Sequence, residues 1–219
     1  MSDAELPLAR HTDYGAEALD EAQISRDPFV QFERWLTEAS DRGVYEPNAM
    51  VLSTVDADGT PSSRTVLLRG IDERGLAFYT DRSSRKGRAL AAHPVATALF
   101  PWYGLHRQVI VTGEVALIGD RESDAYWSSR PRGSRIAGSA SAQSQPIPSR
   151  EVLERNVDEV EKRYADVEDI PRPQRWGGYR IAPSRFEFWQ GRTSRLHDRI
   201  VFTRERAGAG AWSLERLQP

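Results

Sequence analysis

Apolar side chains recur at helical spacing in the first strongly patterned part of the chain, and their positions are Phe29, Phe32, Trp35, Leu36 and Ala39. The residues before them, Asp27-Pro28, are typical of a helix start, because aspartate caps free N–H groups and proline fits the first turn. Gly43 stands where a C-cap is expected. The pattern therefore predicts an amphipathic helix between Asp27 and Gly43 whose aromatic face lies in the core.

After residue 49 the pattern changes to short apolar runs separated by turn signals such as Asp56-Ala57-Asp58-Gly59 and Asp72-Glu73-Arg74-Gly75. We predict strands at residues 50–55, 62–69, 76–80, 95–100, 108–118, 178–182, 185–189, 197–203 and 212–217. Further helices are expected at residues 84–92, 120–130 and 151–164. The stretch 131–148 is rich in Gly, Ser and Gln and is expected to be mostly loop.

These elements predict a mainly β fold with flanking helices. Strands joined by tight turns pair antiparallel, and the chain lacks the regular strand–helix alternation of a doubly wound sheet. An antiparallel barrel with helices packed around it fits best. The length of 219 residues suits one domain, which we place at residues 27–219. Residues 1–26 are weakly patterned and are expected to form a mobile N-terminal segment.

Composition excludes several classes of protein. Apolar residues make up 39% and charged residues 28% of the chain, and the net charge of −2 argues against a nucleic-acid partner held by a basic field. The chain has no cysteine, which removes disulfides, thiolate catalysis and cysteine-based metal sites. No apolar run approaches the about 18 residues of a membrane span, and the N-terminus has no signal-peptide core. We expect a cytoplasmic protein.

Common catalytic motifs are missing. The histidines, His11, His93, His106 and His197, share no metal-binding spacing, so no metal site is predicted. The sequence has no Gly-x-Gly-x-x-Gly after a strand, no Walker-type loop and no Gly-x-Ser-x-Gly elbow. A hydrolase and the usual nucleotide-binding folds are therefore poor interpretations.

Cationic side chains instead form several short groups. Ser83-Ser84-Arg85-Lys86-Gly87 opens a predicted helix, so free N–H groups add to two cations and could bind phosphate. If the run Arg195-Leu196-His197-Asp198-Arg199 is extended, its three cationic side chains share one face. Arg64 and Arg69 bracket an apolar strand, and Ser129-Arg130-Pro131-Arg132-Gly133-Ser134 offers arginines and hydroxyls in a rigid turn.

Each group also has a structural interpretation: a capped surface helix, a charged edge strand, or a solvated loop. Two or more anion sites would indicate two phosphorylated ligands, or one ligand together with a cofactor. The residues alone leave these alternatives open.

Motifs spread over nearly the whole length from Asp27 to Pro219 resemble those of the pyridoxamine 5′-phosphate oxidase family, in the family's order. They are Glu46-Pro47-Asn48-Ala49-Met50, Arg64-Thr65-Val66-Leu67-Leu68, Phe78-Tyr79-Thr80, Ser84-Arg85-Lys86, Phe100-Pro101-Trp102, Arg107-Gln108-Val109, Ser129-Arg130-Pro131, Gln143-Ser144, Trp176-Gly177-Gly178, Phe188-Trp189-Gln190-Gly191, Arg195-Leu196-His197-Asp198-Arg199 and Arg216-Leu217-Gln218-Pro219. Each motif alone is weak, whereas the ordered set is highly specific.

The resemblance implies a split β-barrel homodimer that binds FMN at the subunit interface, with the FMN phosphate among Arg64, Arg85 and Lys86. The FMN contacts that it implies are Arg64, Thr65, Val66, Leu67, Tyr79, Thr80, Arg85, Lys86, Gln108, Gln143, Ser144, Trp189 and Arg199.

The resemblance also implies a substrate and a reaction. Substrate-binding residues would be Arg69, Tyr126, Arg130, Ser134 and Tyr14, and Arg195 and His197 would bracket the substrate ring and carry positioning and proton handling. Pyridoxamine or pyridoxine 5′-phosphate would be oxidised to pyridoxal 5′-phosphate. A hydride would pass from the substrate's C4′ to the flavin N5, and O₂ would then accept the electrons to give hydrogen peroxide.

The chain departs from the family pattern at two substrate positions. Arg69 replaces a lysine, and His11 replaces the first arginine of a segment that ends in Tyr14. Arg64 and Arg69 also differ by an odd number, so a regular strand would send them to opposite faces unless a bulge intervenes or they serve distinct subsites. Two alternatives remain: a related flavin oxidase acting on another ring system such as a phenazine precursor, and a non-enzymatic flavin- or pyridoxal-phosphate-binding module.

Overall fold

The computed structural model describes residues 13–205 and 210–219. Its helices are α1 Pro28–Asp41, α2 Arg85–Ala92, α3 Asp120–Ser129, α4 Arg132–Ala140 and α5 Arg150–Arg163. Its strands are β1 Ala49–Val55, β2 Pro61–Leu67, β3 Gly70–Asp72, β4 Gly75–Asp81, β5 Val95–Trp102, β6 Arg107–Leu117, β7 Trp176–Gln190, β8 Asp198–Thr203 and β9 Ser213–Leu217. In this part of the chain no helix is both long and apolar enough to cross a membrane.

All nine strands belong to one antiparallel sheet that curls into a half-barrel. The order is β2-β1-β5-β6-β7-β4-β3, and β8 and β9 extend it from the second half of β7. β7 is the central strand, because its first half pairs with β4, its second half with β8, and residues 179–190 with β6. The mainly β architecture predicted from the sequence is confirmed.

Helix α1 buries its aromatic face in the main core, as its pattern predicts. Asp27 accepts a hydrogen bond from the Phe29 N–H at 2.8 Å, which caps the helix. Trp35 is buried and packs edge-on against Phe188 of β7, with ring centroids 5.4 Å apart. A second, smaller core lies beneath α3, α4 and α5, and its buried members are Trp127, Ile136, Val160, Ile170 and Trp176.

Two local predictions are wrong. Residues 132–140 are helical rather than loop, because Ile136 is buried in the second core and tertiary packing outweighs the Gly- and Ser-rich composition. Residues 176–190 form one strand rather than two. β7 passes through Pro183 because the pairing with β6 shifts register opposite it, at Thr112 and Gly113.

Part of the N-terminal segment packs against the barrel. Leu19 and Ile24 are each 5% exposed and belong to the main core. The Leu19 N–H donates to Asp198 Oδ2 at 3.0 Å, and Arg216 Nη2 donates to the Leu19 carbonyl at 2.8 Å. His11, a position at which the chain departs from the family pattern, lies outside the described residues.

Candidate functional site

A cleft of about 450 Å³ lies between β2, β4 and the α2–α4 region. Many of the residues predicted to bind ligands line it: Thr65, Val66, Leu67, Arg69, Tyr79, Thr80, Lys86, Tyr126, Arg130, Ser134 and Gln143. The remaining lining residues, Ser129, Pro131 and Trp176, were not predicted as site residues. They belong to the motifs Ser129-Arg130-Pro131 and Trp176-Gly177-Gly178, and this membership could have marked them as candidate site residues.

A break between two strands resolves the odd spacing of Arg64 and Arg69. β2 ends at Leu67, after which the Leu68 N–H donates to the Asn48 carbonyl at 2.9 Å and the Arg69 N–H to the Ala77 carbonyl at 2.8 Å. The chain therefore leaves β1 and joins β4 between the two arginines. Arg69 lines the cleft, whereas the Arg64 guanidinium binds the Leu52 carbonyl and the hydroxyls of Thr54 and Ser62.

Lys86 forms a buried cationic end of the cleft. It is 8% exposed, and its Nζ donates to Gln143 Oε1 at 2.6 Å and to Thr80 Oγ1 at 3.2 Å. Burial and the neighbouring Arg64 guanidinium lower the pKa of Lys86 from 10.5 to about 8, although Asp81 acts in the opposite direction. No Asp or Glu is among the residues that line the cleft in the described chain, so an anion would relieve this unfavourable burial of charge.

Arg85 and Ser144 lie outside the cleft lining. Arg85 pairs with Asp56, with Nη2 2.6 Å from Oδ2, and its side chain is 54% exposed. Ser144 adopts a positive φ of 68° and lines a separate groove beside α5. The structure therefore places Lys86 and Gln143 in the cleft but turns their sequence neighbours away from it.

Arg130 forms a second cationic group in the cleft. Its guanidinium lies 4.7 Å from the centroid of the Trp176 ring and 5.0 Å from that of Trp127. Arg130 Nη1 is buried and has no hydrogen-bond partner among the described residues. Burial lowers the pKa of Arg130, Tyr126 opposes this, and the Arg69 cation adds to it. Two neighbouring cations with an unsatisfied donor between aromatic rings are suited to a phosphate or carboxylate.

Aromatic rings form one wall of the cleft. Tyr79 and Tyr126 are stacked with centroids 3.9 Å apart, and the Trp176 ring lies within 10° of parallel to both, at 5.8 and 5.9 Å. This wall stands beside Arg130, which places flat apolar surface and positive charge side by side. Such a combination suits a ligand that carries both an aromatic ring and an anionic group.

A second group of predicted residues lies around two histidines. This histidine cluster consists of Tyr14, His106, Trp189 and His197: the Tyr14 ring lies 4.9 Å from His106, 5.4 Å from His197 and 6.0 Å from Trp189. His197 Nδ1 accepts from the backbone N–H of Arg192 at 3.1 Å, so the neutral ring carries its proton on Nε2. Burial, reinforced by the Arg195 charge, lowers the pKa of His197.

Gln108, Trp189 and Arg199 form a row of cross-strand neighbours beside this cluster. Arg199 binds the buried Glu187 with Nε and Nη2 at 2.8 and 2.7 Å from Oε1. The extended arrangement considered for residues 195–199 is wrong at its start. Arg195 lies in a 3₁₀ turn, Thr193–Arg195, with φ of 61°, and β8 begins only at Asp198.

The cleft and the histidine cluster lie at opposite ends of β7. Trp176 lines the cleft, and Trp189, thirteen residues later on the same strand, belongs to the histidine cluster. At roughly 3.3 Å per residue, Trp176 and Trp189 are about 43 Å apart along the path of the strand. One chain therefore presents the predicted residues as two separate sets. The described residues hold no group of three or more His, Asp or Glu side chains that could bind a metal ion.

Comparisons with known proteins agree with this architecture. Residues 36–164 match the family model described as pyridoxamine 5′-phosphate oxidase, and residues 176–219 match the pyridoxine 5′-phosphate oxidase C-terminal dimerisation region. A pyridoxine/pyridoxamine 5′-phosphate oxidase from Burkholderia multivorans is 53% identical over 206 residues, which cover 94% of this chain and 95% of the relative. A protein of the same name from Burkholderia mallei is 51% identical over 208 residues, 95% of this chain and 96% of that protein.

Two solved structures share the fold. PhzG from Burkholderia lata 383, solved in complex with tetrahydrophenazine-1-carboxylic acid, superposes with a TM-score of 0.86 at 33% identity and covers 94% of this chain and 100% of its own. A pyridoxamine 5′-phosphate oxidase-related, FMN-binding protein from Nostoc punctiforme has a TM-score of 0.69 at 20% identity, over 90% of this chain and 100% of its own. From the family models and the extent of identity to the relatives, this chain belongs to the pyridoxamine 5′-phosphate oxidase family.

Proposed function

We propose that the protein is an FMN-dependent oxidase that converts pyridoxamine 5′-phosphate or pyridoxine 5′-phosphate to pyridoxal 5′-phosphate, with O₂ as electron acceptor and H₂O₂ as product. The observation that carries the proposal is one cleft with two cationic sites, Lys86 on one side and Arg69 with Arg130 on the other, beside an aromatic wall. Two phosphorylated ring compounds in contact match this arrangement. The relatives at 51–53% identity carry the corresponding name.

The residues around Lys86 fit the phosphate end of FMN. Lys86 is a buried ammonium whose pKa is lowered by burial, and Arg64 lies close enough to lower it further, so a phosphate dianion would stabilise both charges. Thr80 and Gln143 supply polar atoms at the same place. When bound, FMN supplies the two-electron redox chemistry, which the side chains cannot provide.

The Arg130 region fits the phosphate of the substrate. Arg130 Nη1 is a buried donor in need of an acceptor, and Arg69, Tyr126 and Ser134 line the same part of the cleft. The guanidinium is held by Trp127 and Trp176, so little conformational freedom is lost when it binds an anion. In the proposed reaction these residues bind and orient the substrate.

The histidine cluster contributes to the same site only if a second subunit brings it there. A homodimer is supported by the match to a C-terminal dimerisation region and by a partly exposed sheet face that carries Val51, Leu99 and Ile110. The lowered pKa of His197 favours the neutral ring, whose N–H at Nε2 can donate to a substrate atom. Arg195 adds a cation beside it, and Tyr14 packs over the His197 ring.

A second candidate is an oxidase of phenazine precursors, supported by the fold shared with PhzG at a TM-score of 0.86. The test is turnover of the purified protein with FMN in air, with pyridoxamine 5′-phosphate, pyridoxine 5′-phosphate and a reduced phenazine carboxylate as separate substrates. The proposal expects aldehyde and peroxide in equal amounts from a B6 substrate. Bound FMN with no turnover of either B6 substrate would overturn it.

Adding substrate to the FMN-loaded protein without oxygen distinguishes an oxidase from a non-enzymatic binding module. Under anaerobic conditions an oxidase is bleached by its substrate, since the electrons remain on the flavin. A module that only stores or delivers its ligand keeps an oxidised flavin spectrum after the same addition.

A further inference from the structure

Arg175, which directly precedes β7, connects two walls of the cleft. Its Nε donates to Asp81 Oδ2 at 2.8 Å on one side. On the other side its Nη2 lies within hydrogen-bond distance of three carbonyl oxygens, those of Gly138 at 3.2 Å, Ser139 at 2.9 Å and Ser141 at 3.1 Å. The side chain is 35% exposed and does not line the cleft itself.

The Asp81 side of this connection is rigid. The Asp81 side chain is 3% exposed, and its Oδ1 accepts from the Ser83 N–H at 2.7 Å and from Ser83 Oγ at 2.6 Å. The Arg82 N–H also donates to the Arg175 carbonyl at 2.6 Å. Asp81 directly follows Thr80 and precedes the helix that carries Lys86, so Arg175 is anchored to the wall that carries the buried ammonium.

The other side is the C-terminal end of α4. Gly138 and Ser139 lie in its last turn, and Ser141 is its C-cap, so the three carbonyls that Arg175 binds are at the negative end of the helix dipole. Two residues after Ser141, Gln143 Oε1 accepts the hydrogen bond from Lys86 Nζ. The position of Gln143 in the cleft therefore depends on where α4 ends.

A cavity separates the two walls. It measures about 280 Å³, and Asp81 on one side and Ala137, Gly138 and Ser141 on the other are among its lining residues. Across this gap polar contacts replace close packing, so the loss of Arg175 would not be offset by neighbouring apolar contacts. A guanidinium is long enough and has enough donors to serve both sides at once.

We infer that Arg175 is a positioning residue for FMN binding, because it fixes the end of α4 against Asp81 and thereby places Gln143 beside Lys86. The inference rests on the proposed function only in taking FMN as the ligand at Lys86. Arg175 does not touch the ligand site, and its effect passes through the α4 end and Gln143.

FMN binding to the apoprotein, followed by quenching of flavin fluorescence, tests this role. Arg175→Gln is expected to weaken FMN binding by about tenfold or more, since a charge-assisted contact and a helix cap are lost together. Arg175→Lys, which can reach Asp81 but lacks the planar fork, is expected to fall between Arg175→Gln and the wild type. Arg150→Gln is the control, because it removes an exposed arginine–glutamate pair at 2.8 Å on α5.

Two further readouts separate positioning from a general loss of stability. Turnover at saturating FMN should stay within about twofold of wild type in Arg175→Gln, since the lost binding is recovered by mass action. Amide hydrogen exchange of the apoprotein should accelerate in residues 138–143 and remain unchanged in α5. If Arg175→Gln does not fold, the same measurements on Arg175→Lys decide the question.

The outcomes distinguish the two claims. If Arg175→Gln binds FMN as tightly as the wild type and amide exchange in residues 138–143 is unchanged, the role of Arg175 is overturned and the proposed function still stands. Wild-type protein that does not bind FMN at all overturns the proposed function and, with it, the assignment of Arg175 to FMN binding.

Discussion

Trp176 and Trp189 stand near the two ends of the same strand and belong to different groups of candidate site residues. Trp176 packs beside Arg130 in the cleft, whereas Trp189 lies 4.7 Å from His197 in the histidine cluster. Because thirteen residues of strand separate them, about 43 Å along its path, we expect the two groups to act on one ligand when they come from different chains. In a twofold-symmetric dimer each of two sites would combine the cleft of one protomer with the histidine cluster of its partner.

This arrangement predicts complementation between two inactive variants. Arg130→Met damages the cleft and His197→Ala damages the histidine cluster, so each homodimer would have two defective sites. When the two chains are co-expressed, half of the dimers are mixed and each mixed dimer has one intact site, which gives about a quarter of wild-type activity by statistical assembly. Specific activity of the unseparated co-expressed protein is the measurement, and activity no higher than that of either variant would show that each site is built from one chain.

The buried lysine predicts a pH dependence of FMN affinity. Lys86 has a pKa of about 8, lowered mainly by burial, so in the free protein its ammonium loses the proton as the pH rises through 8. A bound phosphate favours the ammonium and raises that pKa, hence FMN affinity should fall above pH 8 by up to about tenfold per pH unit. Dissociation constants measured between pH 7 and 9.5 test this. Lys86→Arg stays charged over the whole range, and a wild-type profile as flat as that of this variant would contradict the expectation.

The sequence predicted the elements whose signals are local. α1 begins at Pro28 as its cap predicts, since Asp27 and the aromatic repeat lie within a few residues of each other. α4 was missed because its only buried side chain is Ile136, which packs on residues from distant parts of the chain. The short strand β3 was also missed. It is three residues long and exists because it pairs with β4.

The motif resemblance named individual candidate residues, but it did not show how one chain divides them into two groups. The motif resemblance named Lys86, Gln143 and Arg130, and the structure brings all three to one cleft. Nothing in the motifs tells which of them meet within one chain, because that depends on strand pairing between distant segments. No sequence pattern indicated a role for Arg175, since its hydrogen-bond partner Asp81 lies 94 residues earlier in the chain.

The two groups also predict a division of effects between substitutions. Arg195→Ala removes a cation near His197 and should lower kcat/KM by about tenfold or more, while the FMN dissociation constant changes by less than about twofold. Lys86→Gln should do the reverse, weakening FMN binding more than it lowers turnover at saturating FMN. Titration of each apoprotein with FMN, combined with steady-state kinetics, distinguishes them. Closely similar profiles for the two variants would refute this division.

Arg85 provides an internal comparison for the Lys86 result. The sequence resemblance places both residues at the FMN phosphate, but Arg85 pairs with Asp56 and its side chain is 54% exposed. If that pairing persists when FMN binds, Arg85→Ala removes only a surface ion pair, which contributes about 1 kcal/mol or less. It should therefore weaken FMN binding less than Lys86→Gln does. Fluorescence titration of both variants measures the difference. A larger loss for Arg85→Ala would mean that Arg85 leaves Asp56 and turns to the phosphate.

An ion-pair network holds the N-terminal segment against the histidine cluster, and it predicts local release in acid. Arg216 binds both oxygens of Glu21 at 2.6 Å and also Asp198 Oδ1 at 2.6 Å. The hydrogen bond from Arg216 lowers the pKa of Glu21 from 4.5 to about 2. For Asp198, burial acts to raise the pKa, but hydrogen bonds from the Leu19 N–H, Arg192 and Arg216 outweigh it and the pKa is lowered.

Because the folded pKa of Glu21 lies below its ordinary value, its contribution to stability is fully present above pH 4.5 and is lost as the pH falls towards 2. The contribution is about 1 kcal/mol or less, since both side chains of the pair are 38% exposed. Tyr14 should therefore loosen from His197 in that window, before the barrel unfolds. Amide exchange in residues 13–24 at pH 5 and pH 3 measures this. Glu21→Gln should show high exchange at both pH values, and equal protection in the wild type and this variant at pH 5 would show that the ion pair does not hold the segment.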